Sequence, residues 1–346
     1  MLHPTLGIGI VGCGYWGSNY IRVLNELPDC RVTAVCDLRP ERLSQLSERL
    51  PGLVATDDIH TLLSSNEIDA VVVSTEASNH FSVVKRCLEF GKHVLVEKPL
   101  TTRLDHAQEL IDLSTHLGLV LMVGHTFLYN PAVRKLKEYI DRSNTPVYYM
   151  YATRTNMGPF RRDVNALWDL ATHDISIFNY LMGCTPEWVS AIGVKALRNC
   201  RHDIGFISLG YPGNVVGHIH VSWADPNKAR EIAVILSDKR IVFNDMDARE
   251  QIKVYEKGVE LVPPGDHEYG ELSLRVRDGD IFIPKIEVSE PLKVQTKHFL
   301  ECIRSHAIPF TDGRNGIEVL QVLLAMDESV EQNGVRREVC QDVISV

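Results

Sequence analysis

Short apolar runs alternate with amphipathic segments through the first 124 residues. The apolar runs predict strands at 7–11, 31–37, 68–75, 93–99 and 119–124. Apolar positions at helical spacing predict helices at 16–27, 41–50, 57–65, 78–90 and 104–117. Strands that alternate with helices in this way are typical of a doubly wound parallel sheet. We therefore expect residues 1–124 to form one α/β domain.

Beyond residue 124 the pattern changes to longer runs in which apolar and polar positions alternate. These runs predict strands at 147–155, 188–196, 204–211, 214–223, 231–236, 239–244 and 251–255. Helical spacing returns at 166–182, 291–305 and 316–332. Alternation with a period of two indicates a large open, mainly antiparallel sheet with one covered face. Residues 125–346 are expected to form a second, α+β domain.

The composition disfavours several classes of protein but does not by itself indicate a function. The 346 residues suffice for two domains, and a net charge of −9 disfavours a nucleic-acid partner. The apolar runs are strand-sized and no signal-peptide pattern opens the chain, so neither a membrane partner nor secretion is expected. Eight scattered cysteines without a Cys-x-x-Cys pair suggest reduced thiols in the cytoplasm, with neither a disulfide framework nor a zinc site.

The first predicted strand runs directly into a glycine-rich turn, Gly12-Cys13-Gly14-Tyr15-Trp16-Gly17. Gly-x-Gly-x-x-Gly between a strand and a helix is the Rossmann fingerprint, in which backbone N–H groups hold a pyrophosphate. The expected contacts in this turn are Gly12, Gly14, Tyr15, Trp16 and Gly17.

Asp37 closes the second strand, twenty residues past Gly17. At this offset a carboxylate accepts hydrogen bonds from a ribose hydroxyl pair and repels a 2′-phosphate, which favours NAD over NADP. Arg39 leaves an alternative open, because an arginine there can stack on adenine or pair with a phosphate.

Glu97-Lys98-Pro99 ends the strand at 93–99, at the sheet edge where α/β ligand sites form. A positive nicotinamide ring beside Lys98 repels its ammonium, which favours a base or proton relay. An exposed or salt-bridged lysine is the structural alternative. His80 and His125 are expected to line the cleft.

Asp169 and His173 are four residues apart in the predicted helix 166–182, on a face beside its apolar stripe. They are able to share a substrate hydroxyl, with His173 as the base and Asp169 orienting substrate or imidazole. A solvated pair is the alternative. No third ligand accompanies the two, so no metal is expected.

The order and spacing of the glycine turn, Asp37, Glu97-Lys98-Pro99 and Asp169-x-x-x-His173 resemble the Gfo/Idh/MocA oxidoreductases along the whole chain. The resemblance implies that Lys98, Asp169 and His173 are catalytic. It implies association through the outer face of the open sheet, as a homodimer or homotetramer. It also implies that the last helix, 316–332, packs toward the first domain. The resemblance further implies that the loop from Thr75 to His80 contacts the nicotinamide, but this chain departs from the family there, since the usual Thr-Pro is Thr75-Glu76.

Two further stretches, 124–131 and 154–169, resemble the family's branch that acts on nucleotide-linked amino sugars. Arginine forks suit a diphosphate or carboxylate, and amide or phenol groups suit sugar hydroxyls. The residues expected to bind substrate on this basis are Tyr129, Arg154, Asn156, Arg161, Arg162, Asn165 and His173.

The expected activity is NAD-dependent oxidation of a sugar secondary alcohol, with carbon 3 of a UDP-N-acetylhexosamine as the leading site. A free polyol such as an inositol, or a UDP-amino-sugar uronate, is an alternative substrate. A non-catalytic NAD-binding regulator is the alternative from another class. The presence of Lys98, Asp169 and His173 together disfavours that regulator.

Overall fold

The computed structural model describes residues 5–158, 160–161, 163–197, 200–262 and 273–340. Within them the backbone contacts define two units. The first unit runs to Tyr129 and takes in Ser289–Leu320. The second unit comprises Asn130–Val288 and the residues from Gln321 onward.

Residues 6–124 form a parallel sheet with connecting helices. Its strands are β1 (Leu6–Val11), β2 (Cys30–Cys36), β3 (Val54–Thr56), β4 (Ala70–Val73), β5 (His93–Glu97) and β6 (Leu121–Gly124). The helices are α1 (Tyr15–Asn25), α2 (Pro40–Arg49), α3 (Ile59–Leu63), α4 (His80–Glu89) and α5 (Leu104–His116). The strand order β3-β2-β1-β4-β5-β6 confirms the doubly wound α/β fold.

This strand order places the candidate residues of the first unit at one sheet edge. Connections leave the neighbouring strands β1 and β4 toward opposite sides, which opens a crevice at their carboxyl ends. The glycine turn follows β1, Thr75 follows β4, Lys98 follows β5 and His125 follows β6.

Residues 131–282 supply eight strands of a nine-stranded sheet, together with two α-helices and a two-stranded hairpin. The elements are α6 (Pro131–Arg142), β7 (Val147–Thr155), α7 (Thr172–Met182), β8 (Trp188–Val194), β9 (Ile204–Tyr211), β10 (Val215–Ser222), β11 (Ala229–Leu236), β12 (Arg240–Asn244), β13 (Ile252–Tyr255), β14 (Gly258–Val262), β15 (Ser273–Arg277) and β16 (Ile281–Phe282). The chain continues through α8 (Pro291–Ser305), α9 (Gly313–Glu331) and β17 (Arg337–Glu338).

The large sheet has the order β16-β13-β12-β11-β7-β10-β9-β8-β17. Its strand pairs are antiparallel apart from β7 with β10, so the expected mainly antiparallel open sheet is confirmed. One face is buried against α7. A Cβ on Gly217 of β10 would lie 2.8 Å from the Phe178 ring, so glycine permits this close packing.

The element boundaries differ from the predicted ones at two informative places. Helix α6 was not predicted, although Asn130 caps it by accepting from the Ala132 amide at 2.8 Å and Pro131 opens it. The predicted helix 166–182 begins with a π-helical turn, Leu167–Ala171, before α7.

Among the described residues no helix is both long and apolar enough to cross a bilayer. All eight cysteines lie in the described part of the chain and are free thiols there. The expected cytoplasmic location stays a prediction.

Candidate active site

The glycine turn has the geometry of an anion-binding helix start. Gly12 has a φ of +91°, and a Cβ there would lie 2.7 Å from the Ser74 carbonyl oxygen. A Cβ on Gly17 would lie 2.0 Å from the Gly12 carbonyl oxygen. Gly14 precedes α1, and no side chain of the described residues caps that helix. The N–H groups of its first turn are therefore available to a pyrophosphate, and the turn fits a dinucleotide.

Asp37 is only 8% exposed, and its carboxylate supports the same turn. Oδ2 accepts from the Cys13 amide at 2.7 Å and from Arg42 at 3.1 Å, while Oδ1 accepts from the Arg39 amide at 2.9 Å. Burial and the Asp37 charge raise the pKa of the Cys13 thiol to about 12, so the thiol stays protonated. Arg42 was missed by the sequence reasoning. It is a cation beside the expected ribose ligand.

Histidine 80 links the loops that follow β4 and β5. Its ring is buried, with Nδ1 2.7 Å from the Pro99 carbonyl oxygen and Nε2 3.2 Å from the Thr75 carbonyl oxygen. Both of these His80 contacts are made to backbone carbonyl oxygens. Through them the ring fixes Thr75 and the residue after Lys98 relative to each other.

Lys98 is 4% exposed and precedes a cis peptide bond to Pro99. Its amide donates to Glu97 Oε2 at 3.3 Å, and Glu97 Oε1 accepts from the Tyr20 hydroxyl at 2.9 Å. Burial and the Lys98 charge lower the pKa of the His125 imidazole to about 3, so that ring is neutral. Neither nitrogen of His125 has a hydrogen-bond partner among the described residues. Lys98 is thus a buried amine in a turn fixed by a buried carboxylate.

In the second unit, Asp169 lies within the π-helical turn and His173 near the start of α7. The Trp168 amide donates to Asn165 Oδ1 at 2.9 Å where the turn begins. The Trp168 indole donates to Asp327 of α9 at 2.7 Å, and burial raises the pKa of Asp327 to about 6. π-Helical turns widen a helix and are frequent at functional sites. Asp327 was not foreseen from the sequence.

The expected substrate arginines already pair with carboxylates of the protein. Arg161 donates to both oxygens of Asp163, at 3.0 and 2.5 Å, and approaches Asp169 at 3.4 Å. Burial lowers the pKa of Arg161, but hydrogen bonds to Asp163 and the Asp169 charge outweigh it and raise that pKa overall. Arg154 makes two 2.8 Å hydrogen bonds to Asp174. Arg162 lies outside the described residues.

Two other residues that are expected to bind the sugar, Tyr129 and Asn156, also have contacts within their own unit. The Tyr129 hydroxyl is buried in the first unit, 3.2 Å from Thr311 Oγ1. The Asn156 amide donates to the Gly158 carbonyl oxygen in the second unit. Their contacts with a substrate stay predictions, as do those of Asn165 and His173.

A glycine turn at the switch point of a parallel sheet, followed by a unit built on an open sheet, is typical of a two-unit dinucleotide-binding protein. The chain belongs to the Gfo/Idh/MocA family. Residues 6–125 match its "Oxidoreductase family, NAD-binding Rossmann fold" and residues 134–242 match the "GFO/IDH/MocA C-terminal domain". The protein is accordingly an NAD-dependent oxidoreductase.

The relatives of this chain differ in the substrate or ligand that their names give. UDP-N-acetylglucosamine 3-dehydrogenase of Acidithiobacillus ferrooxidans is 26% identical over 96% of this chain and 98% of its own. scyllo-Inositol 2-dehydrogenase (NAD(+)) of Bacillus subtilis is 23% identical over 96% and 94%. The WlbA dehydrogenase from Bordetella pertussis, solved in complex with NADH and UDP-GlcNAcA, has the same fold. It aligns with a TM-score of 0.81 at 19% identity over 99% of this chain and 100% of that one.

Proposed function

We propose that this protein is a sugar dehydrogenase that oxidises carbon 3 of a UDP-N-acetylhexosamine to the ketone. The observation that carries the proposal is the 26% identity to a UDP-N-acetylglucosamine 3-dehydrogenase along nearly the full length of both chains. Lys98, Asp169 and His173 supply the acid–base groups that such an oxidation needs. In this proposal residues 1–124 bind NAD and residues 125–346 bind the sugar nucleotide.

The chemistry separates into a hydride and a proton. NAD, which the glycine turn and Asp37 would hold, would supply the acceptor for the hydride of the carbinol carbon. Lys98 or His173 accepts the hydroxyl proton, and Asp169 orients the hydroxyl or the imidazole. Arg161, held as a cation between Asp163 and Asp169, fixes the Asp169 carboxylate in place. Burial of Lys98 keeps water away from the amine, which strengthens its interaction with a charged partner.

The test is a substrate panel with purified protein and NAD, in which NADH formation is followed. UDP-N-acetylglucosamine should turn over, with a ketone trap or a coupled aminotransferase drawing the equilibrium toward product. UDP-N-acetylglucosaminuronate and free inositols complete the panel, and the same reactions without enzyme are the blank. Turnover of inositols without turnover of nucleotide sugars contradicts the proposal. The inositol dehydrogenase similarity over 96% of the chain makes that class the second candidate.

We also propose that the chain forms a homodimer or homotetramer through the outer face of the large sheet. Register places Tyr149, Ile192, Phe206 and Val216 on the same face of four adjacent strands, and all four are exposed. The Phe206 and His220 rings stack on this face, with centroids 4.7 Å apart. These exposed apolar side chains form two cross-strand pairs, Tyr149 with Val216 and Ile192 with Phe206, and they support this face as the interaction surface.

Phe206→Glu should therefore dissociate the oligomer. Phe206 is 43% exposed, so the charge costs little in an isolated chain but is buried unpaired in an interface. Sedimentation velocity of wild type and variant measures the effect. Val288→Glu is the matched control, since Val288 is 99% exposed. An unchanged sedimentation coefficient in Phe206→Glu contradicts the assignment of this face.

A further inference from the structure

A chain of buried hydrogen bonds in the first unit ends at the backbone amide of Lys98. Gln295 Nε2 of α8 donates to the Tyr20 hydroxyl oxygen of α1 at 2.9 Å. The Tyr20 hydroxyl donates to Glu97 Oε1 at 2.9 Å. Glu97 Oε2 accepts from the Lys98 amide at 3.3 Å. The chain thus joins α8, α1 and the end of β5, which are far apart in sequence.

The chemistry of the groups fixes the direction of these bonds. A carboxylate only accepts, and a tyrosine has one proton to donate, so the Tyr20 proton points at Glu97. The phenolic oxygen then accepts from the Gln295 amide. Burial and the Glu97 charge raise the pKa of Tyr20 well above its usual value, so Tyr20 remains a donor. Tyr20 and Gln295 are completely buried, so neither side chain is open to bulk water.

Packing alone does not require this arrangement. Burying a tyrosine hydroxyl, an amide and a carboxylate in one core is costly unless each is hydrogen-bonded. Gln295 Oε1 accepts no hydrogen bond from the described residues, whereas Nε2 of the same amide donates to the Tyr20 hydroxyl. A leucine in place of Gln295 and a phenylalanine in place of Tyr20 would fill the same space, but Glu97 Oε1 would lose the Tyr20 donor.

We propose that Tyr20 and Gln295 are positioning residues that hold the Glu97 carboxylate in the orientation that fixes the Lys98 backbone. This inference rests on the proposed role of Lys98 as an acid–base group. Neither residue touches substrate or cofactor in this proposal. Tyr20 on α1 and Gln295 on α8 hold the Glu97 carboxylate. Glu97 then restrains the backbone that carries Lys98.

Tyr20→Phe removes one oxygen and the bond to Glu97. Its kcat should fall about tenfold, while KM for both substrates and the dissociation constant of NAD stay within twofold. Gln295→Leu should lower kcat by less. The double variant should be no slower than Tyr20→Phe alone, because both residues act through one carboxylate. Thr296→Val is the control, since it removes a buried hydroxyl from the neighbouring position of α8 whose bond goes to the Leu292 carbonyl oxygen.

A second measurement does not depend on turnover. Hydrogen exchange of the Lys98 amide should accelerate at least tenfold in Tyr20→Phe and stay at the wild-type rate in Thr296→Val. If kcat and this exchange rate change no more in Tyr20→Phe than in Thr296→Val, the positioning role is wrong. If exchange accelerates but the wild-type protein oxidises no sugar, the hydrogen-bond chain stands and the proposed function fails.

Discussion

Lys98→Met should slow sugar oxidation about 10³-fold while NAD binding remains. Methionine is one atom shorter than lysine and has an unbranched apolar stem without a proton-accepting amine, so it fits a position where the lysine is 4% exposed. Loss of an acid–base group costs about 10²–10⁴ in rate, and we expect a fall in kcat of about 10³-fold. NADH formation measures the rate, and titration calorimetry measures NAD binding.

Lys98→Arg separates the proton transfer from the charge. Arginine keeps the positive charge but does not lose its proton at accessible pH, so it should be nearly as slow as methionine. Turnover of Lys98→Met within tenfold of wild type contradicts the catalytic role of Lys98. Turnover that is restored by arginine would assign Lys98 an electrostatic role instead of a proton transfer.

The parallel sheet of residues 6–124 was predictable because its sequence signals are local. Periodicity identifies β1, β2, β4, β5 and β6, and the parallel order then brings the ends of β1 and β5 to one edge. The glycines at 12 and 17 carry a steric requirement that is visible in the sequence motif. The Rossmann domain and the place of Lys98 therefore follow from spacing alone.

The partners of charged side chains were not predictable, because tertiary contacts choose them. Arg154 pairs with Asp174, twenty residues away. No feature of the neighbouring sequence distinguishes it from an arginine that binds a phosphate of the substrate. The π-helical turn at Leu167–Ala171 was not predicted for a related reason. Its Trp168 has the spacing of an apolar stripe, but its indole donates to Asp327, 159 residues away.

Breaking the Arg154–Asp174 pair should be among the most destabilising single changes in the second unit. The side chains are 4% and 1% exposed and share two 2.8 Å hydrogen bonds. Removing one partner of a buried ion pair leaves an uncompensated charge, at a cost of about 3–5 kcal/mol. We expect that loss in the free energy of unfolding for both Asp174→Leu and Arg154→Met.

Urea denaturation followed by tryptophan fluorescence suits this test, because Trp168, Trp188 and Trp223 belong to the second unit. The double variant leaves no charge behind, so it should lose far less stability than the sum of the single variants. Asp105→Leu breaks the exposed two-bond pair with Arg103 and should leave the midpoint nearly unchanged. If Arg154→Met raises KM for the sugar nucleotide without lowering stability, Arg154 is a substrate ligand. If stability falls and the double variant recovers it, Asp174 is the partner that holds Arg154 in the core.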